Sequence, residues 1–150
     1  MDFNFSNKNI LVGGSTDGIG WECSKIFASM GGNVIMLSRN LDKLNDRHKS
    51  LQNNGTQNHE VLALDYTVPD KLEEKLKKFI SENNIEIDII INNTGGPPGG
   101  KLTDANSNEL INAFNMHLVS FHKILGLTLG GMKKKEYGRI INIISTSVKQ

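Results

Sequence analysis

Near its amino terminus the chain reads Asn9-Ile10-Leu11-Val12-Gly13-Gly14-Ser15-Thr16-Asp17-Gly18-Ile19-Gly20. The apolar start of this stretch suits a buried strand, and apolar residues at helical spacing continue from Ile19 to Met30. The glycines between them permit a tight turn and let backbone N–H groups approach a pyrophosphate. A helix that begins at such a turn offers unpaired N–H donors and the positive end of its dipole to an anion. The stretch therefore predicts a strand, a phosphate-binding turn and a helix; an ordinary glycine-rich turn is the alternative.

Further apolar runs follow at regular intervals, at Val34–Leu37, Val61–Leu64, Ile87–Ile91 and Ile140–Ile144. Helical spacing of apolar residues marks Lys71–Asn83, which Pro69 opens, and Asp104–Met132, with a stripe at Leu110, Phe114, Leu118, Phe121 and Leu125. Near-continuous apolar runs suit strands that are covered on both faces. Alternating strands and helices predict right-handed βαβ units, hence an α/β fold with a doubly wound parallel sheet of the Rossmann type over residues 1–150. Flavodoxin-like domains and methyltransferases share this pattern, so the pattern names no function.

Composition excludes several classes of protein. With 17 basic and 16 acidic residues the net charge is +1, so no overall field attracts nucleic acid or an anionic membrane. The single cysteine, Cys23, excludes an internal disulfide and a cysteine-built metal site. No stretch approaches the roughly 20 apolar residues of a membrane span, and the first residues are too polar for a signal peptide. We therefore expect a cytoplasmic domain without a metal site.

Five motifs in order resemble those of the short-chain dehydrogenases/reductases. The spacing Gly14-x-x-x-Gly18-Ile19-Gly20 is similar to that family's fingerprint, although the family usually has Thr where this chain has Gly13. The later motifs are Asp65 with Tyr66 after the third strand, Asn92-Asn93-Thr94-Gly95 after the fourth, Asn115 in the long helix, and Ser145 after Gly138–Ile144. The resemblance covers essentially the whole chain. The stretch Asn92–Gly99 resembles a subset often labelled 3-oxoacyl-carrier-protein reductases.

The resemblance implies which residues bind a dinucleotide and which act on substrate. The expected cofactor-binding residues are Gly14, Ser15, Thr16, Asp17, Gly18, Ile19, Gly20, Ser38, Arg39, Asp65, Tyr66, Asn92, Asn93 and Gly95. By the same resemblance Ser145 would hydrogen-bond the substrate oxygen and Asn115 would anchor a proton-relay water. The implied activity is NADPH-dependent reduction of a small-molecule carbonyl or 3-oxoacyl substrate, and the full-length form is expected to be a homo-oligomer.

The end of the second strand bears on the choice between NADP and NAD. A carboxylate there would bind the ribose 2′-hydroxyl of NAD, whereas an arginine accommodates the 2′-phosphate of NADP. The strand ends Leu37-Ser38-Arg39-Asn40, without a carboxylate, and the planar fork of Arg39 matches a phosphate. Against this, Asp17 stands where NADP-using relatives often carry a basic residue, and its charge would repel a phosphate. The residues favour NADP over NAD; a plain surface arginine is the alternative for Arg39.

The family's proton donor and its lysine form a Tyr-x-x-x-Lys motif after the serine. Four positions beyond Tyr66 stands Asp70, and four beyond Tyr137 stands Ile141, so neither tyrosine supplies the motif. We therefore expect the chain to be the first part of a reductase, truncated after about the fifth strand, with little or no carbonyl reduction and an exposed apolar stripe on its long helix. A non-catalytic dinucleotide-binding module and another nucleotide-binding enzyme, such as a methyltransferase, remain alternatives.

Overall fold

Five parallel strands form one sheet in the order β3-β2-β1-β4-β5. The computed structural model describes residues 3–145. The strands are β1 Asn9–Gly13, β2 Asn33–Ser38, β3 Glu60–Ala63, β4 Ile89–Asn92 and β5 Arg139–Asn142. The chain moves outward from β1 to β3 and then returns past β1 to β4. This reversal opens a crevice at the carboxyl ends of β1 and β4. The predicted Rossmann-type parallel sheet is confirmed.

Helices connect the strands. They are α1 Gly18–Ser29, α2 Leu41–Lys49, α3 Pro69–Glu82, α4 Ser107–Phe114 and α5 Ser120–Lys134, with a π-helical turn at Asn115–Val119 between the last two. The structure thus divides the single long helix predicted for residues 104–132. Helix α2 was not predicted, because Leu44 is its one buried residue and its other positions are mostly polar. None of the helices within residues 3–145 is both long and apolar enough to cross a membrane.

The core consists of two apolar layers, one on each face of the sheet. Along β1 the side chains alternate, so that Leu11 belongs to one layer while Ile10 and Val12 belong to the other. The first layer includes residues of α3 and α5, among them Leu72, Leu76 and Ile124. The second includes residues of α1 and α2, among them Trp21, Ala28 and Leu44. Because helices cover both faces, the central strands are buried along most of their length.

Apolar surface remains exposed on β5, on α4 and on the π-helical turn. All four residues of β5 are exposed. Large apolar side chains of α4 and the π-helical turn are also exposed, namely Leu110, Ile111, Phe114 and Leu118. Farther along the same predicted stripe, Phe121 and Leu125 pack partly against the core. The expected exposed stripe is therefore confirmed for its first half.

Candidate functional site

A cleft of about 760 Å³ opens at the carboxyl ends of the strands. It lies where the strand order reverses, which is the usual ligand position in open α/β sheets, and its size suits a small-molecule ligand. Its walls are Gly14, Thr16, Asp17, Gly18, Ser38, Arg39, Leu64, Asp65, Tyr66, Thr67, Asn93, Thr94, Gly95, Gly96, Pro97, Pro98, Asn112 and Met116. The glycine-rich loop, the end of β2, the end of β3 and the segment after β4 thus meet at one cavity.

The amino end of α1 faces this cleft without a side-chain cap. Asp17 occupies the cap position, but its carboxylate makes no capping hydrogen bond. Elsewhere the chain uses such caps: Asn40 accepts from the Lys43 N–H at 2.9 Å, and Asn106 caps α4. The first N–H groups of a helix have no partner within it. Those of α1 are therefore available, with the positive end of the helix dipole, to an anion in the cleft.

Two glycines give the loop its shape. Gly14 has a φ of +57°, a conformation that glycine adopts without strain. At Gly20 an added Cβ would lie 2.3 Å from the Gly14 carbonyl oxygen, so the helix packs directly against the turn.

Ser15, which the sequence analysis placed among the cofactor-binding residues, is fully buried. Its N–H and its hydroxyl both lie 3.1 Å from the Leu37 carbonyl oxygen and donate to it, so Ser15 ties the loop to β2 instead of lining the cleft.

Asn93 and Tyr66 form the floor of the cleft under the loop. The Asn93 side-chain amide donates to the Gly13 carbonyl at 3.1 Å, which joins the end of β4 to the loop. Tyr66 is only 6% exposed, and burial raises the pKa of its phenol, so the phenol stays neutral. Its hydroxyl would lie 2.7 Å from a Cβ added at Gly13. Within residues 3–145 this hydroxyl makes no hydrogen bond, and Tyr66 lines the cleft, so it can bond a ligand there.

The side of the cleft that is formed by β2 is polar and basic. The Thr16 hydroxyl lies 3.2 Å from the Ser38 hydroxyl. Arg39 is exposed and, among the described residues, forms no hydrogen bond or ion pair. A second arginine, Arg47 of α2, reaches the same loop and donates from Nε to the Thr16 carbonyl at 3.0 Å. Sequence reasoning missed Arg47, because it did not predict α2; a polar segment with arginine after β2 was the available signal.

Asp65 stands at the end of β3, on the cleft wall. Its Oδ1 accepts from the N–H of Thr67 at 2.9 Å and from the Thr67 hydroxyl at 2.8 Å. These bonds fix the carboxylate in a turn, and within residues 3–145 its second oxygen accepts no hydrogen bond.

Asn92, Asn115 and Ser145 are not on the described walls of the cleft. The Asn92 amide donates to the Asn142 side chain at 2.8 Å and so links the ends of β4 and β5. Asn115 opens the π-helical turn, and the residues of that region that reach the cleft are Asn112 and Met116. Ser145 lies exposed beyond the end of β5.

A histidine that the sequence gave no reason to select reaches the segment after β4. His117 Nδ1 lies 3.1 Å from the Thr94 hydroxyl, and that hydroxyl also donates to the Gly95 carbonyl at 3.2 Å. A hydroxyl has one proton, so both contacts hold together when His117 donates from Nδ1. His117 therefore joins the π-helical turn to the cleft wall.

A family model described as short chain dehydrogenase matches residues 8–150. An uncharacterized oxidoreductase of Staphylococcus epidermidis is 28% identical over 93% of this chain and 59% of the relative. The very-long-chain 3-oxoacyl-CoA reductase of Mus musculus is 29% identical over 91% of this chain and 44% of its own length. A 3-oxoacyl-[acyl-carrier-protein] reductase of Chlamydia trachomatis is 28% identical over 93% of this chain and 56% of the relative. The chain therefore spans about half the length of these curated relatives.

Solved structures share the fold. L-sorbose reductase from Gluconobacter frateurii, complexed with NADPH and L-sorbose, matches with a TM-score of 0.90 at 23% identity, over 99% of this chain and 57% of that one. A metagenomic short-chain oxidoreductase in complex with NADP matches with a TM-score of 0.86 at 24% identity, over 97% of this chain and 66% of that one. These likenesses independently support the Rossmann-type arrangement.

Proposed function

The chain belongs to the short-chain dehydrogenase family, and from that membership we propose that its 150 residues form the dinucleotide-binding unit of an NADP(H)-dependent carbonyl reductase. The observation that carries the proposal is the uncapped amino end of α1, which opens on the cleft. The carboxylate that stands in the cap position is 82% exposed and points toward Arg47 instead of the helix N–H groups. A diphosphate is the anion that suits these donors.

The rest of the cleft suits the other parts of the dinucleotide. The second oxygen of Asp65 would accept from an adenine amino group, and Ser38 and Arg39 would bind a ribose 2′-phosphate. The segment Thr94–Pro98 and Met116 would hold the half that carries the reactive ring. Bound nicotinamide would supply a hydride to a carbonyl carbon. The 3-oxoacyl reductases among the relatives support a carbonyl or 3-oxoacyl compound as the substrate of the whole protein.

We propose that this chain binds the dinucleotide but does not reduce carbonyls. Proton transfer to a carbonyl oxygen by tyrosine near neutral pH requires a phenol whose pKa is lowered by a cation. Burial raises the pKa of Tyr66. Tyr137 precedes β5, at the end of the sheet away from the cleft, where Lys8 and Arg139 stack on its ring at 4.2 and 4.9 Å from the centroid. Neither tyrosine is placed for this chemistry.

Calorimetric titration of the 150-residue chain with NADPH, NADH and S-adenosylmethionine tests the proposal. We expect heat with NADPH and none with S-adenosylmethionine, together with no steady NADPH oxidation when a ketone is added. Absence of heat with both NADPH and NADH from a folded sample would refute the dinucleotide site. Steady NADPH oxidation would refute the proposal that this chain binds the dinucleotide without reducing carbonyls. Binding of S-adenosylmethionine alone would favour a methyltransferase.

A matched pair of variants locates the binding. Gly18, at the start of α1, and Gly55, in a distant loop, both have positive φ (+50° and +88°) with open space around an added Cβ. Alanine at either position is expected to destabilise the fold by about 1 kcal/mol, because both positions require a left-handed backbone. Only Gly18→Ala should weaken NADPH binding. Equal binding by the two variants would show that the anion does not lie at the start of α1.

A further inference from the structure

We propose that Arg47, held on the outer side of the glycine-rich loop, sets the preference of this cleft for a ribose that carries a 2′-phosphate. The inference rests on the proposed dinucleotide site and names a residue of that site that lies outside the glycine-rich loop and the end of β2. It is carried by the contacts of one side chain that crosses from α2 to the loop.

Three contacts fix the guanidinium of Arg47. Its Nε donates to the Thr16 carbonyl at 3.0 Å. Its central carbon lies 4.8 Å from the centroid of the Trp21 ring, which is 8% exposed and therefore held by the core. Its Nη2 lies 3.8 Å from a carboxylate oxygen of Asp17. Stacking on an aromatic face leaves the in-plane N–H donors of a guanidinium available, so Arg47 is oriented in advance and retains donors for an anion.

The loop residue that holds Arg47 also faces the end of β2. Thr16 accepts from Arg47 with its carbonyl, and its hydroxyl lies 3.2 Å from the hydroxyl of Ser38. Arg39 follows Ser38 directly and lines the same wall of the cleft. Arg47, through its bond to Thr16, and Arg39, which follows Ser38, thus both adjoin the Thr16–Ser38 pair, the position proposed for the 2′-phosphate.

Arg47 also removes the objection that Asp17 presents to NADP. A carboxylate in this loop would repel a 2′-phosphate, and Asp17 is on the wall of the cleft. Because Arg47 pairs with Asp17, the two charges offset each other, whereas Arg39 forms no ion pair with any of residues 3–145. The pair is solvent-exposed and near the limit of ion-pair distance, so it contributes little to stability. Its effect is expected in ligand selectivity.

The competing explanation is that Arg47 only supports the shape of the loop. In that case its loss would weaken NADPH and NADH binding by the same factor, because both nucleotides use the loop in the same way. A role at the 2′-phosphate changes the ratio of the two affinities. The ratio is therefore the quantity to measure, and it needs no catalytic activity.

The experiment is calorimetric titration of the wild-type chain and four variants with NADPH and NADH. For Arg47→Gln we expect the ratio of NADPH to NADH affinity to fall roughly tenfold, the effect of losing a charged hydrogen bond. For Arg47→Lys, which keeps the charge but not the planar fork, the ratio should lie between those of the wild type and of Arg47→Gln. Asp17→Asn should raise the ratio. Lys49→Gln removes one positive charge from the same helix, where Lys49 pairs with Asp46 at 3.5 Å, and should leave the ratio unchanged.

Each outcome decides the proposal. If Arg47→Gln weakens NADPH and NADH binding by the same factor, or leaves NADPH binding unchanged, the proposal for Arg47 is overturned while the dinucleotide site stands. A fall in the ratio with Lys49→Gln as large as that with Arg47→Gln would overturn it too, because net charge would then explain the effect. Should Arg47→Gln fail to fold, Asp17→Asn decides, since an unchanged ratio contradicts the proposed coupling. Failure of the wild-type chain to bind either nucleotide would refute the proposed function itself.

Discussion

β1 and β5 are both short, parallel and rich in aliphatic residues, yet one is buried and the other exposed. Ile10, Leu11 and Val12 are 1% exposed or less, whereas Ile140 and Ile141 are 38% and 46% exposed. Strands flank β1 on both sides and helices cover both of its faces. β5 pairs with β4 on one edge, and its other edge pairs with no strand of residues 3–145. Position in the sheet decides the burial of an apolar run, not its composition.

The two halves of the cleft likewise differ in whether their contacts are buried or exposed. On the β1–β2 side the loop is anchored by buried groups, such as Ser15 on the Leu37 carbonyl. On the β4–β5 side the wall is joined to the helices by an exposed contact between Thr94 and His117. The glycine-rich loop, on the fixed side, is the part of the cleft proposed for the phosphates. We therefore expect the phosphate part of a ligand to be bound more tightly than the part that lies on the loosely held side.

The largest effect is expected from truncating paired residues of β4 and β5. Ile91 and Ile141 face each other in register and are 2% and 46% exposed. Ile91→Ala should lower the free energy of unfolding by about 2–5 kcal/mol, because it leaves a cavity in a covered layer. Ile141→Ala should lower it by less than about 1 kcal/mol. Urea unfolding at several protein concentrations measures both, and equal losses would show that self-association covers β5.

A second pair of variants compares glycines. At Gly13 an added Cβ would lie 2.4 Å from the Asn93 carbonyl oxygen, so Gly13→Ala should destabilise the chain by about 1–3 kcal/mol. At Gly126, in the exposed face of α5, a Cβ meets nothing within 4 Å, so Gly126→Ala should stabilise it by roughly 0.5–1 kcal/mol. Thermal unfolding gives the sign of each change. Opposite signs would sharpen the contrast between a buried and an exposed position; a tolerated Gly13→Ala would break it.

The smallest effect concerns pH, and it again distinguishes a buried group from an exposed one. Burial lowers the pKa of His59, with a further lowering by His48 and an opposing effect of the bond to Gln52. Neutral His59 accepts the Val34 N–H on Nδ1 at 3.1 Å and donates from Nε2 to the Gln52 carbonyl at 3.0 Å.

Because the folded state resists protonation of His59, the unfolded chain binds a proton first as the pH falls. Stability is therefore complete above the unfolded pKa of about 6.5 and decreases below it, until the lower folded pKa is reached. Urea unfolding between pH 7.5 and 5 should show a fall that His59→Gln diminishes. His122→Gln, on the exposed face of α5, should leave the fall unchanged, and an equal effect of both variants would contradict the assignment.

The glycine-rich loop was predictable because its determinants are local. Glycine tolerates a positive φ at Gly14, and the spacing to Gly18 and Gly20 places the helix directly after the turn. The sequence did not reveal that the Ser15 side chain faces inward, toward β2. Which side chains of the loop meet β2 depends on how the strands pack together. Arg47 and His117 were missed for the converse reason: their partners, Thr16 and Thr94, lie 31 and 23 residues away in the sequence.

The residues alone establish the alternation of strands and helices, the turn after β1 and the family, because periodicity, backbone freedom and motif spacing are properties of neighbouring positions. The tertiary structure decides which apolar runs are covered, that α2 exists and that it delivers Arg47 to the loop. These depend on the order of the strands, which brings distant segments together. A contact between such segments exists only once the sheet has assembled, so local preferences do not encode it.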